Sequence, residues 1–437
     1  MYLSLIGKFR NQMSIPFESI NVALPPYSHE LNWPKGLTPY RLIDADGAQG
    51  EPYAHYAWLR ENAPVMRVKH GDLEVWIATR HDDVRAALRK PKLFQSQVTD
   101  NRELAFITAM DNPDHARLRQ VVASAFTPKV VASVEGQVRE TASKLFNDMI
   151  GAGGGEVVSS LARPLTMTTI SNLVGVPVFD FHQVNHWCEQ TFVYFARLAR
   201  NAPGSENDEK DAQEFFQYVN GHLRRLHKEG NQSVGGSLAK AWRDDGTISE
   251  KEATELCAFV FIAGFETSTR LIAGSFLELH YNPLLLKRLR IDPDAPRRFV
   301  EEVVRMRGPT HRSVRRTTAD VEIGGYLAPR HTLVRLMIAS ANRDHLVWPD
   351  GDTFNIDRDG MDHFGFGYGI HGCLGAPLAR LEMLVLTRLL GQKLKRVTFD
   401  PDRDLVFLKG NSMINGPETL RIDIQPLDGA AKCPFLQ

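Results

Sequence analysis

Residues 366–375 read Phe366-Gly367-Tyr368-Gly369-Ile370-His371-Gly372-Cys373-Leu374-Gly375, a glycine-dense run around one cysteine. Glycines at 367, 369 and 372 let a backbone turn sharply or pass close to a large flat ligand. Cys373 stands just before a helical run, Ala376 to Leu390. A thiolate there gains from the helix N-terminus and from backbone N–H donors. Such a thiolate is a strong axial ligand for haem iron and pushes electron density toward O–O cleavage. The plain alternative is a glycine-rich turn around a structural cysteine, since free cysteine often packs as a small core residue. For an isolated cysteine that alternative wins. Ten residues whose positions agree favour the ligand.

Three other groupings bear on the same chemistry. Ala263-Gly264-Phe265-Glu266-Thr267 lies inside a long apolar helix. Read alone, it is a core helix with a threonine bonded back to the helix and a solvent-facing acid. In Glu302-Val303-Val304-Arg305, the acid and base at i, i+3 share a helix face and can pair; surface ion pairs of this kind are common. In His115-Ala116-Arg117-Leu118-Arg119, His115 and Arg119 stand one turn apart, which a solvated basic face would also explain. Taken with the Cys373 loop, these groupings make the chain resemble the cytochrome P-450 family of haem-thiolate monooxygenases, in its soluble bacterial form. The resemblance covers nearly the whole chain.

The resemblance implies roles. Cys373 would be the axial ligand of haem b (iron protoporphyrin IX), in a loop that includes Phe366 and Gly367. His115, Arg119, Arg315 and His371 would pair with the haem propionates, because guanidinium and imidazolium suit buried carboxylates. Arg312 and Arg316 flank Arg315 closely enough to take its place. Ala263 and Gly264 would leave room for dioxygen. Thr267 and Glu266 would be the catalytic alcohol and acid that supply the protons O–O cleavage needs; the family often has Asp where Glu266 stands. Glu302, Arg305 and Arg358 would hold the fold behind the haem. Segment 95–108 matches the family's variable loop over the haem. By position, Phe259, Ile262, His311, Val314 and Met413 line the substrate pocket, with His311 or Arg102 able to anchor a carboxylate or hydroxyl.

The expected product is a hydroxylated or O-dealkylated small apolar or aromatic substrate. A peroxide-driven peroxygenase would share Cys373 but typically lacks the acid–alcohol pair. A non-enzymatic haem sensor would need neither Thr267 nor an electron donor. The sequence has no evident glycine-rich phosphate loop with an acidic partner, and 437 residues leave no room for a flavin domain beside a full haem domain. Electrons are therefore expected from a ferredoxin or similar redox partner with an NAD(P)H-dependent reductase, docking on the Cys373 side with help from Arg380.

The elements that must position these residues are mostly helices. Val134, Val138, Ala142, Leu145 and Met149 follow helical spacing until Gly151 to Gly155. Asn112-Pro113-Asp114 reads as a helix start capped by Asn112, with Thr127-Pro128 as its end. Ser249 with Glu252 forms a capping box for a helix running to Asn282-Pro283. Segments 203–211 and 229–237 read as loops. Short strands are expected at 74–78, 321–323, 332–337 and 420–424. The fold class is thus mainly α, one haem-thiolate domain with a small β-rich subdomain. It is assigned to residues 21–428, between tails at 1–20 and 429–437.

Lys and Arg total 52, as do Asp and Glu, so the formal net charge is zero. Nothing in that balance calls for nucleic acid or an anionic membrane. The apolar start stops at Lys8 and Arg10, well short of the roughly 20 residues a membrane span needs. The four cysteines, Cys188, Cys257, Cys373 and Cys433, form no C-x-x-C pair, which suits a reducing compartment. Cys188 and Cys257 read as core, and Cys433 as part of a mobile end. The expectation is a cytoplasmic protein.

Overall fold

The computed structural model describes residues 24–35, 37, 51–70, 73–99, 106–179, 181–198, 206–360, 362–408 and 413–428. Arg102 and Cys433 lie outside them, as do residues 100–105 of the variable loop at 95–108.

The helical body is built from α1 (Asp114–Ala125), α2 (Glu135–Gly151), α3 (Arg163–Val174), α4 (Phe181–Leu198), α5 (Glu206–Lys228), α6 (Val234–Arg243), α7 (Glu250–Tyr281), α8 (Ala295–Arg307) and α9 (Ala376–Lys393). The capping box at α7 forms as read: Ser249 Oγ accepts from Glu252 N, and the Glu252 carboxylate accepts from Ser249 N. Among the described residues, α7 is the helix long and apolar enough to cross a membrane, yet 67% of its apolar stretch is buried in the protein. It is the central core helix, hydrophobic nearly all round because other helices surround it.

Three local readings change. The α1 helix begins at Asp114 with Pro113 at its cap, one residue later than expected; it ends at Ala125, just before Thr127-Pro128 as read, and Thr127 also caps a short helix at Pro128–Ser133. Residues 206–211 open α5 and are not a loop; Glu209 and Lys210 are exposed there while Asp208 is buried. Residues 234–237 open α6, capped by Ser233, whose hydroxyl accepts from Gly236 N.

The β-rich part is a five-stranded sheet ordered β1 (Val65–His70), β2 (Leu73–Ala78), β8 (Leu333–Leu336), β5 (Ser313–Thr317), β3 (Phe94–Gln95). Here β2 and β8 run parallel, and β5 pairs antiparallel with β8, setting Arg315 opposite Val334. The hairpin of β6 (Val321–Ile323) and β7 (Tyr326–Ala328) stands apart. In a second sheet, β11 (Pro417–Pro426) pairs with β4 (Gly154–Glu156), β9 (Leu394–Thr398) and β10 (Leu405–Phe407). The first sheet covers its own apolar cluster, including Trp76, Val334 and Phe364, and α7 crosses the main one.

Candidate functional site: a cysteine loop facing a cationic cluster

Positive φ at Gly367 and Gly369 bends the Cys373 loop, and a Cβ on Gly369 would stand 2.6 Å from the Leu88 carbonyl oxygen. Gly372 has an ordinary φ of −50°, so its backbone makes no such demand. Cys373 N donates to Phe366 O at 2.7 Å, closing the loop. The Cys373 side chain is exposed, yet the protein mass around it raises the thiol pKa by desolvation. Both hold if its open surface faces inward and not bulk water. Four influences pull the other way and favour thiolate: the N–H groups of Gly375 and Ala376, and the guanidinium groups of Arg119 and Arg380.

Beside the loop the fold gathers four basic side chains from three parts of the chain. His115 and Arg119 come from α1, Arg315 from β5 and His371 from the loop itself. The His115 and His371 rings lie 4.2 Å apart. Arg119 donates to Gly372 O, and Arg315 Nη1 donates to Ser313 Oγ at 2.6 Å. Burial, then Arg315, His115 and Arg119 in turn, push the His371 imidazole down to about 3, and burial lowers Arg315 to about 10. The acid acting on His115 and Arg315 is Asp111, whose two carboxylate oxygens already accept from Ser96 N and Gln97 N. His115 Nε2 is buried with no partner. Two guanidinium groups, two imidazoles held neutral and an orphaned ring nitrogen suit a buried dianion, and with a thiolate donor alongside, the set fits a haem with two propionates. The register also decides among the neighbouring arginines, since Arg315 acts on His371 while Arg312 bonds to Tyr56.

Removing a partner from such a group costs about 1–3 kcal/mol. His115→Ala and Arg119→Ala should each lower haem occupancy after gel filtration, and the double variant should lower it further. Full occupancy in the double variant would refute the propionate assignment.

On α7, side chains are buried except along a stripe. Phe259, Val260, Ala263, Gly264 and Thr267 are half-buried at helical spacing along that stripe. Ile262 is 3% exposed and points into the core instead, so its expected place in the pocket is corrected. A Cβ on Gly264 would lie 2.5 Å from Ile170 Cδ1, so its absence lets α3 pack against α7. Thr267 Oγ1 donates to Ala263 O at 2.8 Å. Glu266 pairs with Arg270.

The remaining pocket candidates divide. Phe259 meets Phe106 edge-on at 4.9 Å, forming an aromatic wall with Phe195. Val314 is half-buried on β5, and Met413 O accepts from His311 N at 2.9 Å. His311 is not an open anchor. It is buried with Nδ1 3.4 Å from Tyr56 Oη and its ring near Tyr53, and burial with Arg312, Arg343 and Arg307 drives its pKa well down. Arg380 is likewise engaged: Nε and Nη2 bond Glu301 at 2.6 and 2.9 Å and the group covers Phe366, which leaves it less charge to offer a partner.

The α8 pair forms in full. Arg305 Nε and Nη2 bond the two Glu302 oxygens at 2.7 Å, with both side chains wholly buried. Arg358 Nε approaches Glu302 Oε1 at 3.5 Å, and Asn355 N donates to that oxygen at 2.8 Å. Arg305 also donates to Asn342 O and Gly351 O, so α8 is stitched to the loop beyond β8. This is no surface bridge. A buried pair is expensive to break because the survivor keeps an uncompensated charge.

Known proteins are similar to this chain in sequence and fold. The family described as Cytochrome P450 matches residues 297–415, which hold Glu302, Arg305, Arg315, Arg358, His371 and Cys373. The chain is 31% identical to mycinamicin IV hydroxylase/epoxidase of Micromonospora griseorubida, over 84% of this chain and 94% of that one. It is 32% identical to the cytochrome P450 monooxygenase PikC of Streptomyces venezuelae, over 85% and 91%. Its fold matches the crystal structure of the cytochrome P450 enzyme CYP109B1 from Bacillus subtilis with a TM-score of 0.73 and 28% identity, covering 85% of this chain and 99% of that one.

Proposed function

This chain belongs to the cytochrome P450 family, and we propose that it binds haem b through Cys373 and inserts one atom of dioxygen into a small apolar or aromatic substrate, by hydroxylation or O-dealkylation. Bound haem supplies the oxygen activation and one-electron chemistry. The chain supplies the rest. Gly375 and Ala376 N–H groups stabilise the Cys373 thiolate. Arg119 and Arg315 would neutralise the propionates, and His115 and His371 would hydrogen-bond them. Glu266 and Thr267 hold and move protons on the α7 stripe. Phe259, Val314 and Met413 place the substrate. Glu302, Arg305 and Arg358 keep the loop side of the fold rigid. The observation that carries this reading is the buried cationic cluster beside a cysteine whose thiolate has backbone donors ready.

Electrons would come from a ferredoxin or similar protein with an NAD(P)H-dependent reductase, in the cytoplasm. The acid–alcohol pair favours dioxygen over peroxide as oxidant. The test screens small aromatic and apolar compounds for water displacement in the ferric difference spectrum, then compares turnover of the hits under two oxidant systems. NAD(P)H, reductase and ferredoxin should give product carrying label from labelled dioxygen. Product formed only with hydrogen peroxide would replace this reading with a peroxygenase, and no product under either system would leave a haem carrier.

A further inference from the structure

We propose that Arg270 is a positioning residue for proton delivery: it clamps one oxygen of Glu266 and leaves the other free to carry the proton. The inference rests on the catalytic role proposed for Glu266. The two residues stand one turn apart on α7. Arg270 Nε donates to Glu266 Oε1 at 2.9 Å, and Nη2 closes on the same oxygen. Glu266 Oε2 is buried and makes no hydrogen bond.

That asymmetry is informative. Arginine usually meets a carboxylate with two parallel bonds to two oxygens. Such a fork would engage both oxygens of Glu266 and so disfavour protonation at either. Here both N–H groups converge on Oε1, which fixes the carboxyl rotamer and spares Oε2. An unpaired buried acceptor is costly, and a proton or water that visits it during turnover accounts for its retention.

The clamp is anchored. Arg270 is 2% exposed, and its Nη1 donates to Pro417 O at 2.6 Å, where β11 begins. An ordinary i, i+4 surface pair has no such second tie. Among the described residues, the Cys188 thiol on α4 also feels the Glu266 charge: burial first and Glu266 second hold it neutral, so it does not compete for the proton. In one cycle Oε2 takes a proton from water and releases it toward Thr267, while Oε1 stays on Arg270. Glu266 ends the cycle as it began.

The test uses haem-loaded Arg270→Gln, Arg270→Lys and Glu266→Gln, each checked for melting temperature and for the carbon monoxide band of the reduced protein. Loss of the cation favours the neutral acid, so the pH profile of product formed per NAD(P)H should move alkaline in Arg270→Gln, by about 1–3 units. Infrared spectra at neutral pH should show a protonated carboxyl band in Arg270→Gln that vanishes in the Arg270→Gln/Glu266→Gln double variant. Arg270→Lys, which keeps the charge, should restore most of both signals toward the parent. Should Arg270→Gln not fold, Arg270→Lys should still shift the profile in the same direction by a smaller step, because one ammonium cannot close both bonds. An unchanged pH profile with no new carboxyl band overturns the clamp while Glu266→Gln still loses coupling. Glu266→Gln with parental coupling instead removes the role of Glu266 itself.

Discussion

Cys373→Ala should abolish the thiolate-dependent Soret band of the reduced, carbon monoxide-bound protein, together with all NAD(P)H-dependent product. The band reports a thiolate on the iron, and alanine offers no donor. The other described cysteines cannot take over. Cys188 and Cys257 are buried in the helical core, and burial alone pushes the Cys257 thiol up to about 12. The variant should nevertheless retain some haem, because His115, Arg119, Arg315 and His371 are untouched and still gather the propionates. Cys373→His should bind haem with a nitrogen ligand and show the carbon monoxide band of a histidine-ligated protein. A Cys373→Ala protein that kept the thiolate band would remove the assignment on which every other role depends.

The sequence disclosed those features in which several positions had to agree. The Cys373 loop combines three glycines, a histidine and a cysteine within ten residues, so a chance match is improbable, and the fold places the loop as read. The Ser249–Glu252 box announces α7 because capping is local chemistry that needs no tertiary partner. Features decided by contact were not legible. The charged run at 206–211 reads as loop, but it forms the first turns of α5, with Glu209 and Lys210 exposed and Asp208 buried. Gly235 and Gly236 fall in the segment read as a loop, yet α6 includes them; a Cβ on Gly235 would lie 2.5 Å from Val174 O, so tight packing selects the small residue. Ile262 and His311 were assigned to the pocket by their nearness in sequence to site residues, and side-chain direction sends each elsewhere. Arg270 was visible as an i+4 partner of Glu266, but only its bond to Pro417 separates a clamp from a common helix pair.

Thr267→Val should uncouple the enzyme: NAD(P)H consumption continues, hydrogen peroxide is released, and product per NAD(P)H collapses. Glu266→Gln should slow turnover by about 10²–10⁴-fold, the usual worth of positioned acid–base help, with an altered solvent-isotope response. The structure sharpens the rival account. Thr267 Oγ1 already donates to Ala263 O at 2.8 Å, as a threonine with a purely packing role would. Two facts argue against stopping there. Thr267 is half-buried on the one face of α7 that is open, beside Ala263, where a packing residue would be covered. The back-bond occupies the hydroxyl proton but leaves the oxygen lone pairs able to accept. Releasing a bond of this kind costs about 0.5–1.5 kcal/mol, small beside the 2.7–5.5 kcal/mol or so that a 10²–10⁴-fold rate effect represents. The donor can therefore be redirected when an acceptor arrives. Valine keeps the shape and removes the hydroxyl, so packing is held constant while the chemistry is deleted. Haem content, substrate-induced spectral shift and reduction rate should match the parent in Thr267→Val, and the loss should appear only in the partition between product and peroxide. Parental coupling in Thr267→Val would leave the bond to Ala263 as the whole role of that hydroxyl and pass proton delivery to other groups.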